Sequence, residues 1–140
     1  MRETRWTAIR VTMGFMLLAS AGLGSSAVVD ADDLQAGISL YKQGKYAEAA
    51  AQLANAPGAD AKAYLAASLA KQKKYDEAID RMGAAIKARA DLAHAYYWRG
   101  QAYYKKKQPD RMVSDFETFL KLAPKAPEAN SVKQLLAGLR

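Results

Sequence analysis

The chain has 140 residues with 51% apolar and 25% charged side chains, the size and make-up of one globular domain and too little for a multidomain enzyme. It has no cysteine and a single histidine, His94, which excludes disulfide frameworks, thiolate zinc sites, cysteine nucleophiles and the common multi-histidine metal sites. A formal charge of +7 asks for an anionic counterpart: nucleic acid, an anionic membrane surface or an acidic protein.

Arg2, Arg5 and Arg10 precede an uncharged run of 14 residues, 11–24, built around Phe15, Met16, Leu17 and Leu18. A positive start, a short apolar run and then small residues is the layout of a secretory signal peptide, whereas a membrane-spanning helix needs about 20 residues. Cleavage is expected after Ala27 in the triplet Ser25, Ser26, Ala27, or as late as Ala31. The expected division is a signal peptide over 1–27 and one domain over 28–140, with no stable membrane span after signal removal. A retained anchor is the alternative. Removing 1–27 takes away three Arg and one Glu, so the rest keeps a net charge of +5. A periplasmic or secreted location holds the chain away from chromosomal DNA and most RNA, and no nucleic-acid partner is expected.

The remainder repeats. Lys42-Gln43-Gly44-Lys45-Tyr46, Lys71-Gln72-Lys73-Lys74-Tyr75 and Lys105-Lys106-Lys107-Gln108-Pro109 align with spacings of 29 and 34 residues. Before each polar turn, small or apolar residues recur at helical spacing: Leu34, Ile38 and Tyr41; Tyr64, Leu65 and Leu69; Tyr96, Gly100 and Tyr103. After each turn they recur again: Ala49 and Leu53; Ala78, Met82 and Ile86; Met112, Phe116 and Leu120. Each unit reads as a helical hairpin, and the second helix of the first unit stops early at Ala56-Pro57-Gly58. Gly44 ends the first helix of its unit, while Lys73 and Lys107 hold the same place without glycine's freedom. Asp76, Glu77 and Asp110 open second helices, where a carboxylate opposes the positive end of the helix dipole. Pro127 and Glu128 suit a last helix start, with Val132, Leu135, Leu136 and Leu139 at helical spacing behind them. Seven helices and no strand are expected.

This pattern resembles the tetratricopeptide repeat (TPR) family, which runs aromatic, two residues, Leu-Gly, two residues, Tyr, then Ala, three residues, Phe, then Pro. The third unit follows it best, with Tyr96, Arg99-Gly100, Tyr103, Met112, Phe116 and Pro124; the second has Leu65-Ala66, Leu69, Ala78 and Met82; the first has Gly37, Leu40, Tyr46, Ala49 and Leu53. Arg99, Met112 and Pro109 depart from the usual leucine, alanine and aromatic. The resemblance implies an all-α, right-handed superhelical α-solenoid of three hairpins, with repeats at about 30–58, 59–92 and 93–126 and a capping helix at about 127–139. Within it, Gly37, Ala66 and Gly100 are expected to face Ala49, Ala78 and Met112 where the paired helices approach.

In the family, the first helices of successive units line a concave groove that holds a segment of another protein. Carried over by position, the groove would present Leu34, Ile38, Tyr41 and Lys42 from the first unit, and Asp60, Ala63, Ala67, Ala70 and Lys71 from the second. The third would add His94, Tyr97, Gln101, Tyr104 and Lys105. Lys42, Lys71 and Lys105 occupy equivalent places, so the resemblance aligns them into a positive row suited to an acidic segment or a free carboxylate; the alternative role is to neutralise helix C-termini. Tyr97 and Tyr104 lie seven apart on the groove face, while Tyr96 and Tyr103 hold core places. The family's carboxylate clamp is absent as such, with His94 and Trp98 where Lys and Arg would stand.

Catalysis has little to build on. Ser68, Ser114 and His94 are the only nucleophile-base components, none in a strained elbow or beside a Gly-rich oxyanion loop, and there is no phosphate-binding loop. No cofactor and no metal are expected. The function implied is a non-enzymatic protein-interaction module or scaffold of the bacterial cell envelope. The alternatives are a chaperone or assembly factor for a secretion or envelope complex, and a homo-oligomer formed through an apolar edge at Leu53 and Ala54 where the first unit is cut short.

Overall fold

Segments rich in Ala, Leu, Met and Lys with no interior proline favour helix. The structure, a computed structural model, describes residues 26–140, with side chains from residue 31; most of the expected signal peptide lies outside that range. Among the described residues there are seven helices and no strand: α1 (Ser26–Lys42), α2 (Tyr46–Leu53), α3 (Ala59–Lys71), α4 (Tyr75–Ala88), α5 (Ala93–Lys105), α6 (Pro109–Leu122) and α7 (Ala129–Ala137). Both cleavage candidates, Ala27 and Ala31, fall inside α1.

One turn design is used three times. After α1, the N–H of Gly44 donates to Tyr41 O and that of Lys45 to Leu40 O, both at 3.0 Å. After α3 the same pair runs from Lys73 to Ala70 and Lys74 to Leu69, and after α5 from Lys107 to Tyr104 and Gln108 to Tyr103, again at 3.0 Å. This doubly bonded helix stop satisfies carbonyls that the helix leaves over, and it requires a left-handed residue just past the end. Gly44 supplies it at φ +78°, but Lys73 (φ +64°) and Lys107 (φ +57°) adopt it with a Cβ. Chain reversal follows at once: Tyr46, Tyr75 and Pro109 begin the next helices, the proline at a position that has no N–H bond to lose.

Each helix from α2 onward packs on the next in sequence, and α3 also lies beside α5, the stacking of successive hairpins in a solenoid. The core accordingly runs through the stack as three clusters. Leu53, Leu65, Leu69 and Ala78 join the first two hairpins; Ala63, Ala66, Met82, Leu92 and Ala95 join the second and third; Tyr103, Met112, Phe116, Phe119 and Val132 join the third to α7. Polar ties cross the same joints. Gln72 of one turn donates to the Tyr46 carbonyl at the head of α2, and Lys106, one residue before the left-handed lysine of the third turn, pairs with Asp76 at the head of α4.

Close approach is achieved differently from the expected pairing. A Cβ on Gly37 would lie 2.4 Å from Leu53 Cγ, and one on Gly100 would lie 2.6 Å from Phe116 Cε1. The glycines thus accommodate a large side chain one turn beyond Ala49 and Met112. For the same reason the apolar edge expected at Leu53 does not exist: Leu53 is 1% exposed, its side chain seated over Gly37, and only Ala54 faces outward. The truncation itself is present, α2 having 8 residues where α4 and α6 each have 14.

Arg99, the departure from leucine, has a dedicated partner. Its Nε donates to Asp115 Oδ2 at 2.8 Å and its Nη2 to Oδ1 at 2.7 Å, a two-pronged ion pair between α5 and α6. Asp115 is 4% exposed, and the guanidinium also lies 5.7 Å from the Tyr96 ring centroid and 6.0 Å from that of Tyr103. The hydrogen bond to Asp115 holds Arg99 above the usual arginine range against the opposing effect of burial.

Candidate functional site

The side-by-side placement of α3 and α5 brings the C-terminal turns of both helices next to Tyr41 of α1 and opens a cleft of about 460 Å³. Its cations are Lys71, Lys73 and Lys105, its aromatic walls Tyr41, Tyr75, Trp98 and Tyr104, and its small-sided part Ala67, Ala70 and Ala102, with Gln101 beside them. Among the described residues no carboxylate lines it. The three lysines are exposed and form no ion pair among the described residues, unlike Lys106, which Asp76 neutralises. A cation cluster over an aromatic floor is chemically suited to an anion attached to an apolar body, since lysines attract charge while rings cover carbon.

Tyr41, Lys71, Gln101, Tyr104 and Lys105 of the expected groove set meet in this cleft, along with Ala67 and Ala70. Ile38 and Lys42 do not line it, so the lysine row is Lys71 and Lys105 with Lys73 in the third place. Leu34 packs against the core between the first two hairpins, and Ala63 is fully buried beneath the third hairpin. Tyr97 leans away onto α6, with ring centroids 5.1 Å from Phe119 and 6.1 Å from Phe116, and its hydroxyl accepts a 2.7 Å hydrogen bond from Gln101 Nε2. The seven-residue spacing put Tyr97 and Tyr104 on one face, but the rings of Phe116 and Phe119 offer Tyr97 a better-packed place.

Trp98 lines the cleft although repeat position alone did not place it there. Its ring centroid lies 5.9 Å from Tyr41, 5.1 Å from Tyr64 and 4.9 Å from His94, and Tyr41 in turn lies 5.5 Å from Tyr46. This aromatic band ties all three hairpins together immediately behind the cleft. Burial, with the neighbouring Tyr46, Tyr64 and Tyr97, pushes the Tyr41 hydroxyl up to about 12. Tyr41 therefore stays neutral at any physiological pH and serves as a wall.

His94 lies at the far side of that band rather than in the cleft. Asp60, expected to face the groove, is gripped by Arg89 at 2.9 and 3.2 Å, and His94 Nε2 stands 3.7 Å from Asp60 Oδ1, too far for a hydrogen bond. The ring nitrogen is buried without a partner. Burial lowers the His94 pKa below 6.5, outweighing the pull of Asp60 and aided by Arg89. Among the described residues no group of three or more His, Cys, Asp or Glu could hold a metal, and no helix is long and apolar enough to cross a membrane.

Stacked helical hairpins around a peptide-sized, cation-rimmed cleft define a solenoid interaction domain. Residues 66–107 match a family model described as TPR repeat, and residues 94–126 match one described as tetratricopeptide repeat. Residues 66–126 are thus similar to tetratricopeptide repeats. No curated protein sequence matches it. Among solved structures, the TPR domain of Arabidopsis OM64 is similar at a TM-score of 0.70 and 20% identity, covering 76% of this chain and 93% of that one. The second TPR domain of human RPAP3, in complex with the HSP70 peptide SGPTIEEVD, gives 0.68 at 25% identity, covering 76% and 92%. PcrH, in complex with the chaperone binding region of PopB, gives 0.69 at 15% identity, covering 84% and 98%. The fold is that of TPR solenoid domains.

Proposed function

We propose that the protein is a non-enzymatic interaction module of the bacterial cell envelope, a scaffold that holds an acidic segment of a partner protein in the cleft between α3 and α5. The observation that carries this reading is the lining: Lys71, Lys73 and Lys105 unpaired, with Tyr41, Tyr75, Trp98 and Tyr104 around them and no carboxylate among them. The similar RPAP3 domain is paired with a peptide ending in Glu-Glu-Val-Asp, which supports an acidic partner. The envelope setting rests on Arg2, Arg5, Arg10 and the uncharged run 11–24 ahead of the repeats.

Binding of an acidic fluorescent peptide should weaken as salt rises, because the lysines act from the surface and are screened. In the Lys71→Glu, Lys105→Glu double variant, affinity should fall by about tenfold or more, each reversal replacing attraction with like-charge repulsion. Unchanged affinity in that variant overturns the cleft assignment. Fractionation of cells expressing the full chain tests the setting separately: a shortened form outside the cytoplasm supports export, and a full-length cytoplasmic form favours the chaperone reading instead.

A further inference from the structure

A second hollow lies next to the first, between the end of α5 and the end of α7. It has a volume of about 520 Å³ and is bounded by Pro109, Met112 and Leu139, with Lys107 and Gln108 beside them. Tyr104 and Lys105 line both hollows, so they form the ridge between them. Tyr104 is 54% exposed and Leu139 is 55% exposed, two of the three large apolar side chains left open among the described residues. Such side chains facing each other across a hollow are a surface prepared for apolar contact.

Two independent features mark this hollow for a peptide. Tyr104, Pro109 and Leu139 give it an apolar wall open to solvent. The lining also repeats the electrostatics of the first hollow, with lysines and no carboxylate. The lysines are placed in the same way: Lys73 borders the first hollow and Lys107 the second, and both hold left-handed backbone that glycine would adopt more easily. Gly44, their equivalent in the first turn, borders neither.

Resting on the cleft reading above, we infer that the site is bipartite and that Leu139, just past the end of α7, belongs to it. The partner is an extended acidic segment that crosses Tyr104, sets one apolar side chain in each hollow and lays a carboxylate on Lys105 between them. Leu139 and Pro109 grip the second apolar side chain. The residues after α7 then select the partner, while α7 itself closes the end of the stack.

The test uses the purified protein and a panel of fluorescein-labelled synthetic peptides with two leucines separated by one to four aspartates, beside versions in which either leucine is alanine. At the best spacing, removing either leucine should weaken binding about tenfold, the equivalent of one well-buried aliphatic side chain. Leu139→Ala should weaken the two-leucine peptide by a similar factor and leave the peptide lacking the second leucine unchanged. Lys71→Glu should weaken both. Leu139 is exposed, so its replacement leaves the fold intact, and an unchanged melting temperature verifies this. If Leu139→Ala leaves the two-leucine peptide untouched while Lys71→Glu weakens it, the second hollow is not used and the bipartite site is overturned with the first cleft still standing. If Lys71→Glu also has no effect, or no peptide in the panel binds, both readings fall.

Discussion

In the second hairpin α3 and α4 meet through small side chains, Ala66, Ala78 and Ala85 all fully buried, whereas in the third α5 and α6 meet through Gly100, Phe116 and the Arg99–Asp115 ion pair. Both hairpins have the same turn and the same helix lengths, 13 and 14 residues. The second gains its fit from alanines at the crossing flanked by flexible Leu65, Leu69 and Met82, which tolerates modest change at any one position. The third gains it from matched extremes: a missing Cβ beneath a phenyl ring, and a guanidinium that must find its carboxylate. Paired solutions of that kind fail abruptly when one member is altered, because the other is left without its complement.

The largest effect should follow from Asp115→Ala. It strands Arg99 in a half-buried position and should lower stability by about 3 kcal/mol, read from the urea midpoint. Adding Arg99→Leu, the family's usual residue, should recover more than half of that loss; failure to recover would mean the pair is not an isolated unit. Next comes a swap at the equivalent glycine and alanine. Gly100→Ala drives a Cβ into Phe116 and should cost about 1–3 kcal/mol, while Ala66→Gly in the second hairpin should cost about 1–2 kcal/mol through backbone entropy and one lost buried methyl. Equal losses would erase the proposed distinction between the hairpins.

The smallest effect concerns the joint between these two hairpins, where His94 sits over Tyr64 and Trp98. Its folded pKa lies below 6.5, so the unfolded chain takes up the proton first. The contribution to stability is complete above that value and declines as pH falls from 6.5 toward the lower folded pKa. His94→Gln should flatten the stability profile in that window; an unchanged slope between pH 7 and 5 would assign the dependence elsewhere.

Much of the architecture is readable from the chain because the repeat is written in turn residues and in helical spacing, and seven helices follow from counting them. The site is legible only in part. Lys71 and Lys105 are found by repeat position, but Lys73 enters the cleft through a left-handed turn that spacing does not encode. Trp98 was legible as a substitution in a clamp position, not as the hub of an aromatic band, since that role depends on Tyr41 and Tyr64 arriving from two other hairpins. Tyr97 went the opposite way, because the pull of Phe116 and Phe119 on α6 is a tertiary preference absent from α5 itself. Arg99 looked like a flaw until Asp115, 16 residues on, supplied the opposite charge.

The short α2 sets the order in which the molecule comes apart. In a linear array each unit is held by its own helices and by its neighbours, so the unit with the least internal helix pairing is the first to open. Eight residues of α2 against α1 leave the first hairpin with that role, and the amides of Tyr46–Leu53 should exchange with solvent sooner than those of α4 and α6. Peeling from that side removes one aromatic wall, Tyr41, from the cleft while Lys71, Lys73 and Lys105 stay in place.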